Sequence, residues 1–155
     1  MIGAGLSLLL FLYRTSRPHI AVVGQVGETE HFRNVLRHEV RTWPELLLVR
    51  IDETLYFANA PRVESELQSY IVEARKPKDV VLVMSGVAYI DTSGLDVLEA
   101  LETVLRQNGS RLHLAEVKGP VMDRLAGTDL LTALASGRVH LSAHDAVLAI
   151  RGSAA

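Results

Sequence analysis

Two neighbouring hydroxyls, Thr92 and Ser93, sit in the stretch Ile90-Asp91-Thr92-Ser93-Gly94-Leu95, and two kinds of chemistry are open to them. Ser93-x-x-Asp96 fits a capping box, in which the hydroxyl accepts a hydrogen bond from a first-turn N–H and contributes about 1 kcal/mol. A phosphate on Ser93 or Thr92 instead adds roughly −2 charge where a helix N-terminus tolerates it, and changes the surface that a partner meets. The two roles are compatible. Other chemistries fail on residue type or spacing. The chain has no G-x-S-x-G elbow, no lysine loop for phosphate and no G-x-G-x-x-G, and Gly24-x-x-Gly27 holds too few glycines for a pyrophosphate. His31 and His38 lie seven apart without a carboxylate at ligand spacing, so a solvated face is expected rather than a metal site. Glu64 and Glu66 point to different sides of a helix, and Asp52 and Glu53 stand at a strand end where a solvated loop is expected. No catalytic or metal-binding residue is assigned.

The elements that position Thr92 and Ser93 are legible on either side. Val80 to Met84 is an unbroken apolar run, the mark of a strand buried on both faces. Val97, Leu98, Leu101, Val104 and Leu105 recur at helical spacing, and Asn108-Gly109 closes that helix. The hydroxyls therefore occupy a strand-to-helix turn. Upstream, residues 19–26 and 46–52 read as strands, and residues 27–45 as a long surface connection with a helical turn or edge strand near 35–40. Asn59 is placed as an N-cap with Pro61 in the first turn of a helix whose stripe is Val63, Leu67, Tyr70, Ile71 and Ala74; Lys76-Pro77 stops it. Downstream, residues 112–117 form a strand, Lys118-Gly119-Pro120 starts a helix, and a short helix covers residues 130–135. Residues 139–141 make a brief strand, and Ser142-x-x-Asp145 caps a last helix. Alternating strands and helices give an α/β fold with a mainly parallel sheet of four to five strands, the first antiparallel.

At 155 residues the chain is one domain's length, and a net charge of −2 with scattered basic residues argues against nucleic acid as the main partner. The absence of cysteine excludes disulfides, thiol catalysis and cysteine-ligated zinc. Residues 2–13 form an uncharged, largely apolar run that ends in Tyr13 and is followed at once by Arg14 and Arg17. As a helix the run would span roughly 18 Å against about 30 Å of bilayer hydrocarbon, too short to cross alone. A buried N-terminal helix is one reading; the one adopted here is the end of a last membrane span leaving the bilayer on the cytoplasmic side.

Four stretches, taken in order, are similar to one known family. Thr29 to Val35 resembles the segment before the second strand of its bacterial members, and Tyr56-Phe57-Ala58-Asn59-Ala60 resembles the motif at its first helix. Asp91-Thr92-Ser93-Gly94-Leu95 stands at its central loop, and Ala115 to Val121 resembles the stretch after its fourth strand. The chain thus resembles the C-terminal STAS domain of a bacterial SulP-type (sulfate permease family) anion transporter, a domain shared with anti-sigma-factor antagonists. The resemblance implies a mixed sheet flanked by helices and a non-enzymatic regulatory, protein-interaction role. It also implies an anion path, for sulfate or a bicarbonate-like ion, in membrane spans outside this chain. In soluble antagonists the phosphoserine stands at the position matching Ser93, with serine where Thr92 is here; this gives the alternative of a free-standing antagonist switched at Ser93. The resemblance assigns residues 1–17 to the end of the last transmembrane helix and a juxtamembrane linker, 18–151 to the cytoplasmic domain and 152–155 to a disordered tail. Implied partners are the transport domain of the same transporter, a second copy in a homodimer and a soluble regulatory protein. The implied location is the cytoplasmic face of the bacterial inner membrane, with attachment through the N-terminal segment. No cofactor is assigned; nucleotide binding enters by family resemblance alone.

Overall fold

The apolar run Asp79–Val83 is a strand with every residue buried, and the sheet is built outward from it. The coordinates, a computed structural model, describe residues 2–15 and 19–153. In chain order the elements are α1 (Ile2–Thr15), β1 (Ile20–Gln25), β2 (Phe32–Asn34), β3 (Leu46–Ile51), α2 (Ala60–Glu73), β4 (Asp79–Val83), α3 (Thr92–Gln107) and β5 (Arg111–Ala115), then α4 (Gly119–Leu125), α5 (Asp129–Leu134), β6 (Val139–His140) and α6 (Ala143–Gly152). The sheet order is β2-β1-β3-β4-β5-β6. From β3 to β6 the pairings are parallel, while β1 runs antiparallel to both β3 and β2. The mixed, mainly parallel sheet is the expected one, with one strand more. The added strand, β2, has three residues, too few to show a period, and lies just before the 35–40 stretch expected to hold a helical turn or an edge strand.

Alternation along the strands divides the core between the two faces of the sheet. Leu47, Val49, Ile51, Val80, Leu82, Met84, Leu112 and Leu114 pack with buried side chains of α2 to α5. Leu46, Leu48, Val81, Val83 and Ala115 face the other way, onto Trp43 and the α6 residues Ala143, Ala146, Val147 and Ile150. In α3 the stripe holds for Val97, Leu98, Leu101 and Leu105, but Val104 is exposed because it lies at the margin of the buried arc.

Residues Ile2 to Tyr13 carry exposed side chains throughout, so a buried N-terminal helix is not what the chain forms. Tyr13 lies 5.3 Å beneath the Arg62 guanidinium of α2. Among the described residues no helix is long and apolar enough to cross a membrane. Residues 16–18, which take in the end of the expected juxtamembrane linker with Arg17, and the side chain of Arg14 lie outside the described residues. At the other end α6 takes in Gly152, and the Ser153 hydroxyl donates to the Ile150 carbonyl at 2.9 Å. Of the expected tail, residues 152 and 153 thus continue from the helix, and Ala154 and Ala155 lie outside the described residues.

Candidate functional site

Beyond the ends of β3 and β4 the chain continues to pair. Leu55 bridges Ile90 in parallel fashion, with Leu55 N–H donating to Tyr89 O at 3.2 Å and Asp91 N–H to Leu55 O at 3.1 Å. The first turn of α3 sits directly on this bridge. A Cβ at Gly94 would meet Ile90 Cγ1 at 2.7 Å and Leu55 O at 2.8 Å, so glycine is what allows the close approach.

The N-cap of α3 is Asp91, not Ser93. Asp91 is extended (φ −95°, ψ −175°), its Oδ1 accepts from Gly94 N–H at 2.9 Å and its Oδ2 accepts from Phe57 N–H at 2.9 Å. With the cap at Asp91 the helix begins at Thr92, so Ser93 lies inside the first turn and not at its boundary, and the charge of a carboxylate suits the positive end of the helix better than a hydroxyl. The N–H of Gly94, with those of Phe57 and Ser93 and the charge of Arg124, holds the Asp91 carboxyl below the usual carboxylate range. Arg124 of α4 also donates to Ile90 O at 3.3 Å.

Asn59 occupies the N-cap position of α2 but turns its side chain backward. Its Oδ1 accepts from Tyr56 N–H at 3.0 Å and its Nδ2 donates to Thr54 O at 2.7 Å. This fixes the loop in which Tyr56 and Phe57 meet edge to face at 5.7 Å. The two motifs, 34 residues apart in sequence at Phe57 and Asp91, thus form one surface tied by a single carboxylate. Its outward members are Tyr56, Phe57 (73% exposed), Ala58, Tyr89 and Thr92, with Ser93 and Leu95 half-buried; Asn59, Ala60 and Gly94 point inward and hold the backbone. An arrangement of exposed aromatic rings around a helix start can bind a protein surface. Among the described residues no acid and base converge on either hydroxyl.

A second polar cluster lies at the opposite end of β4. Asp79, 3% exposed, accepts from Arg111 through both carboxylate oxygens at 2.8 and 3.0 Å. The same carboxylate lies 2.9 Å from His113 Nε2, and His113 Nδ1 lies 3.0 Å from His140 Nε2 with the rings stacked at 24°. Burial pushes both histidines below their ordinary range, for His113 against the pull of Asp79. With His113 neutral, its Nε2–H donates to Asp79, its Nδ1 accepts, and His140 donates through Nε2–H. Sequence reasoning did not find this chain, because its members come from three separate strands; alternation along β5 puts His113 on the α6 face, and that was its one local signal. Among the described residues no group of His, Cys, Asp and Glu is arranged to hold a metal. His31 and His38 are exposed, while Asp52 is tied to Arg50 at 2.8 Å and Glu53 lies 3.8 Å from His19.

Comparison with known proteins fits this fold. The STAS domain family model matches residues 37–146. The "Probable sulfate transporter 4.2" of Arabidopsis thaliana is 30% identical over 158 residues, which cover 95% of this chain and 23% of that protein. The chain spans about a quarter of the length of the curated relatives it matches. Among solved structures, the murine anion transporter Slc26a9 in the inward-facing state superposes with a TM-score of 0.79 at 22% identity, covering 97% of this chain and 25% of that one. The SulP transporter STAS domain from Vibrio cholerae gives 0.61 at 17% identity, over 77% of this chain and 91% of that one. The phosphorylated form of SpoIIAA, a Bacillus cell fate determinant, gives 0.55 at 12% identity, over 72% of this chain and 96% of that one.

Proposed function

The chain belongs to the STAS domain family, and from that premise we propose that it is the cytoplasmic regulatory and interaction domain of a SulP-type secondary anion transporter, acting by binding and not by catalysis. The observation that carries the reading is the surface tied together by Asp91, where Phe57 and its neighbouring rings stand exposed around the start of α3. The likeness over nearly the whole chain to proteins named as sulfate transporters supports the context. In this reading α1 is the end of a membrane span, the domain lies on the cytoplasmic face of a membrane, and the surface docks on the transport domain, a second protomer or a soluble protein. A photo-crosslinking residue placed at Phe57 of the full transporter tests it. Crosslinks to the transport domain, to a second copy or to a soluble protein, lost when the probe is moved to a remote exposed position such as Val72, are the expected result. No crosslink above that control would sink the reading.

A second reading is a phosphorylation-switched antagonist, favoured by the half-buried Ser93 hydroxyl in the first turn of α3 and by the fold shared with SpoIIAA, known in a phosphorylated form. Capture by an ATPase-fold anti-sigma kinase, abolished in Ser93→Asp, is its expected outcome. Absence of capture by the wild type removes it.

A further inference from the structure

On the α6 side of the sheet, beside the β1–β2 edge and lined by no residue of α6, lies a cleft of about 610 Å³ that neither reading above uses. Arg33, Arg37 and Arg50 line it together with His19, Asn34 and His38. Among the described residues, Asp52 is the one carboxylate on its wall, and Arg50 already engages it through Nε at 2.8 and 3.1 Å. Three guanidinium charges against one carboxylate leave two positive charges there, in a chain whose net charge is −2. Arg33 and Arg37 make no side-chain hydrogen bond or ion pair among the described residues, and both are exposed. Unpaired guanidinium groups present forks of donors that match the paired oxygens of a phosphate or sulfate. The volume falls in the range of small-ligand sites, larger than one tetrahedral anion needs, so it suits an oxyanion borne on a polar body.

The cleft's position adds a second argument. His19 is four residues beyond Thr15, the last residue of α1, and four residues reach at most about 14 Å. If α1 ends a membrane span, as the proposed function has it, the cleft's His19 wall lies within about that distance of the end of the span.

We infer that this cleft is a binding site for a phosphate- or sulfate-type oxyanion, held by Arg33 and Arg37, whose source is either an anionic lipid headgroup or a soluble anion. The oxyanion arm does not depend on the membrane reading. Inorganic phosphate is titrated into the full chain in detergent against chloride at matched ionic strength, following the arginine side-chain N–H resonances. Saturable shifts of Arg33 and Arg37, weakened about tenfold or more in R33Q/R37Q, are the expected result. In a flotation arm the chain is mixed with vesicles of phosphatidylcholine alone or with phosphatidylglycerol added; α1 supplies the same background to both. Added capture by the anionic vesicles that is lost in R33Q/R37Q assigns the site to headgroups, whereas an effect in the phosphate arm alone assigns it to a soluble anion. Equal behaviour of wild type and double variant in both arms, with unchanged circular dichroism, overturns the site. Absence of flotation with either vesicle type, the α1 background included, with phosphate binding intact counts against the membrane placement and leaves the site standing.

Discussion

Two aspartates bracket β4, and the chain holds them in opposite ways. Asp79, at the strand's start, is held by side chains from β5, and through His113 it reaches β6. Asp91, past the strand's end, is held by main-chain N–H groups of Gly94 and Phe57. The first arrangement closes three strands around a buried charge and leaves nothing over for a partner. The second fixes two loops while keeping their side chains turned outward. A carboxylate that engages only backbone frees every neighbouring side chain for another use, which is why the candidate interaction surface lies at Asp91.

The contrast can be broken most severely at Asp79. Asp79→Ala strands the buried His113 Nε2–H and should cost about 3 kcal/mol in urea denaturation, the low end for breaking a buried pair, because Arg111 stays hydrated. A cost below about 1 kcal/mol would mean that the chain of histidines is not formed. Gly94→Ala, at the other end, pushes a methyl into Leu55 O and Ile90 Cγ1 and should cost about 2 kcal/mol. The same substitution should alter the amide resonances of Phe57, since both loops share the Asp91 carboxylate.

Acid sharpens the comparison further. His113 and His140 bind protons less readily folded than unfolded, so the unfolded chain holds more protons as pH falls below about 6.5. Stability is therefore full above that pH and declines below it, through the folded-state values. The urea midpoint at pH 5.5 should lie below that at pH 7.5, and the difference should shrink in His140→Gln, whose amide can still donate to His113. Asp91, also depressed, contributes stability that is lost only in the carboxylate range as pH falls further. The smallest effect belongs to Ser93→Ala. Sequence spacing gives it the loss of a cap, about 1 kcal/mol, whereas with Asp91 as the cap the change should stay within about 0.5 kcal/mol. Phosphate transfer to Ser93 would be a separate property, and an unchanged midpoint does not bear on it.

What could be read in advance follows from the range of each signal. The strand Asp79–Val83, the stripe of α3 and the Ser142 cap rest on neighbours a few residues apart, and the structure has all three. The cap of α3 was misassigned because Asp91 and Ser93 both fit the pattern locally. Only the extended backbone at Asp91 and the Phe57 N–H, 34 residues away, decide between them. Val104 matched the helical period but sat at its margin, where burial depends on how closely α2 approaches. The pairing of Asp79 with Arg111 and His113 spans 32 and 34 residues and leaves no trace in any window of the sequence.

The outermost strands of the sheet have three residues at one side, β2, and two at the other, β6. Borders this brief offer only a short row of amides and carbonyls on which another chain could lay down a new strand, which limits strand addition along the rim. With so little strand edge on offer, a companion grips this domain chiefly through its outward side chains, and exchanging those leaves the interior untouched.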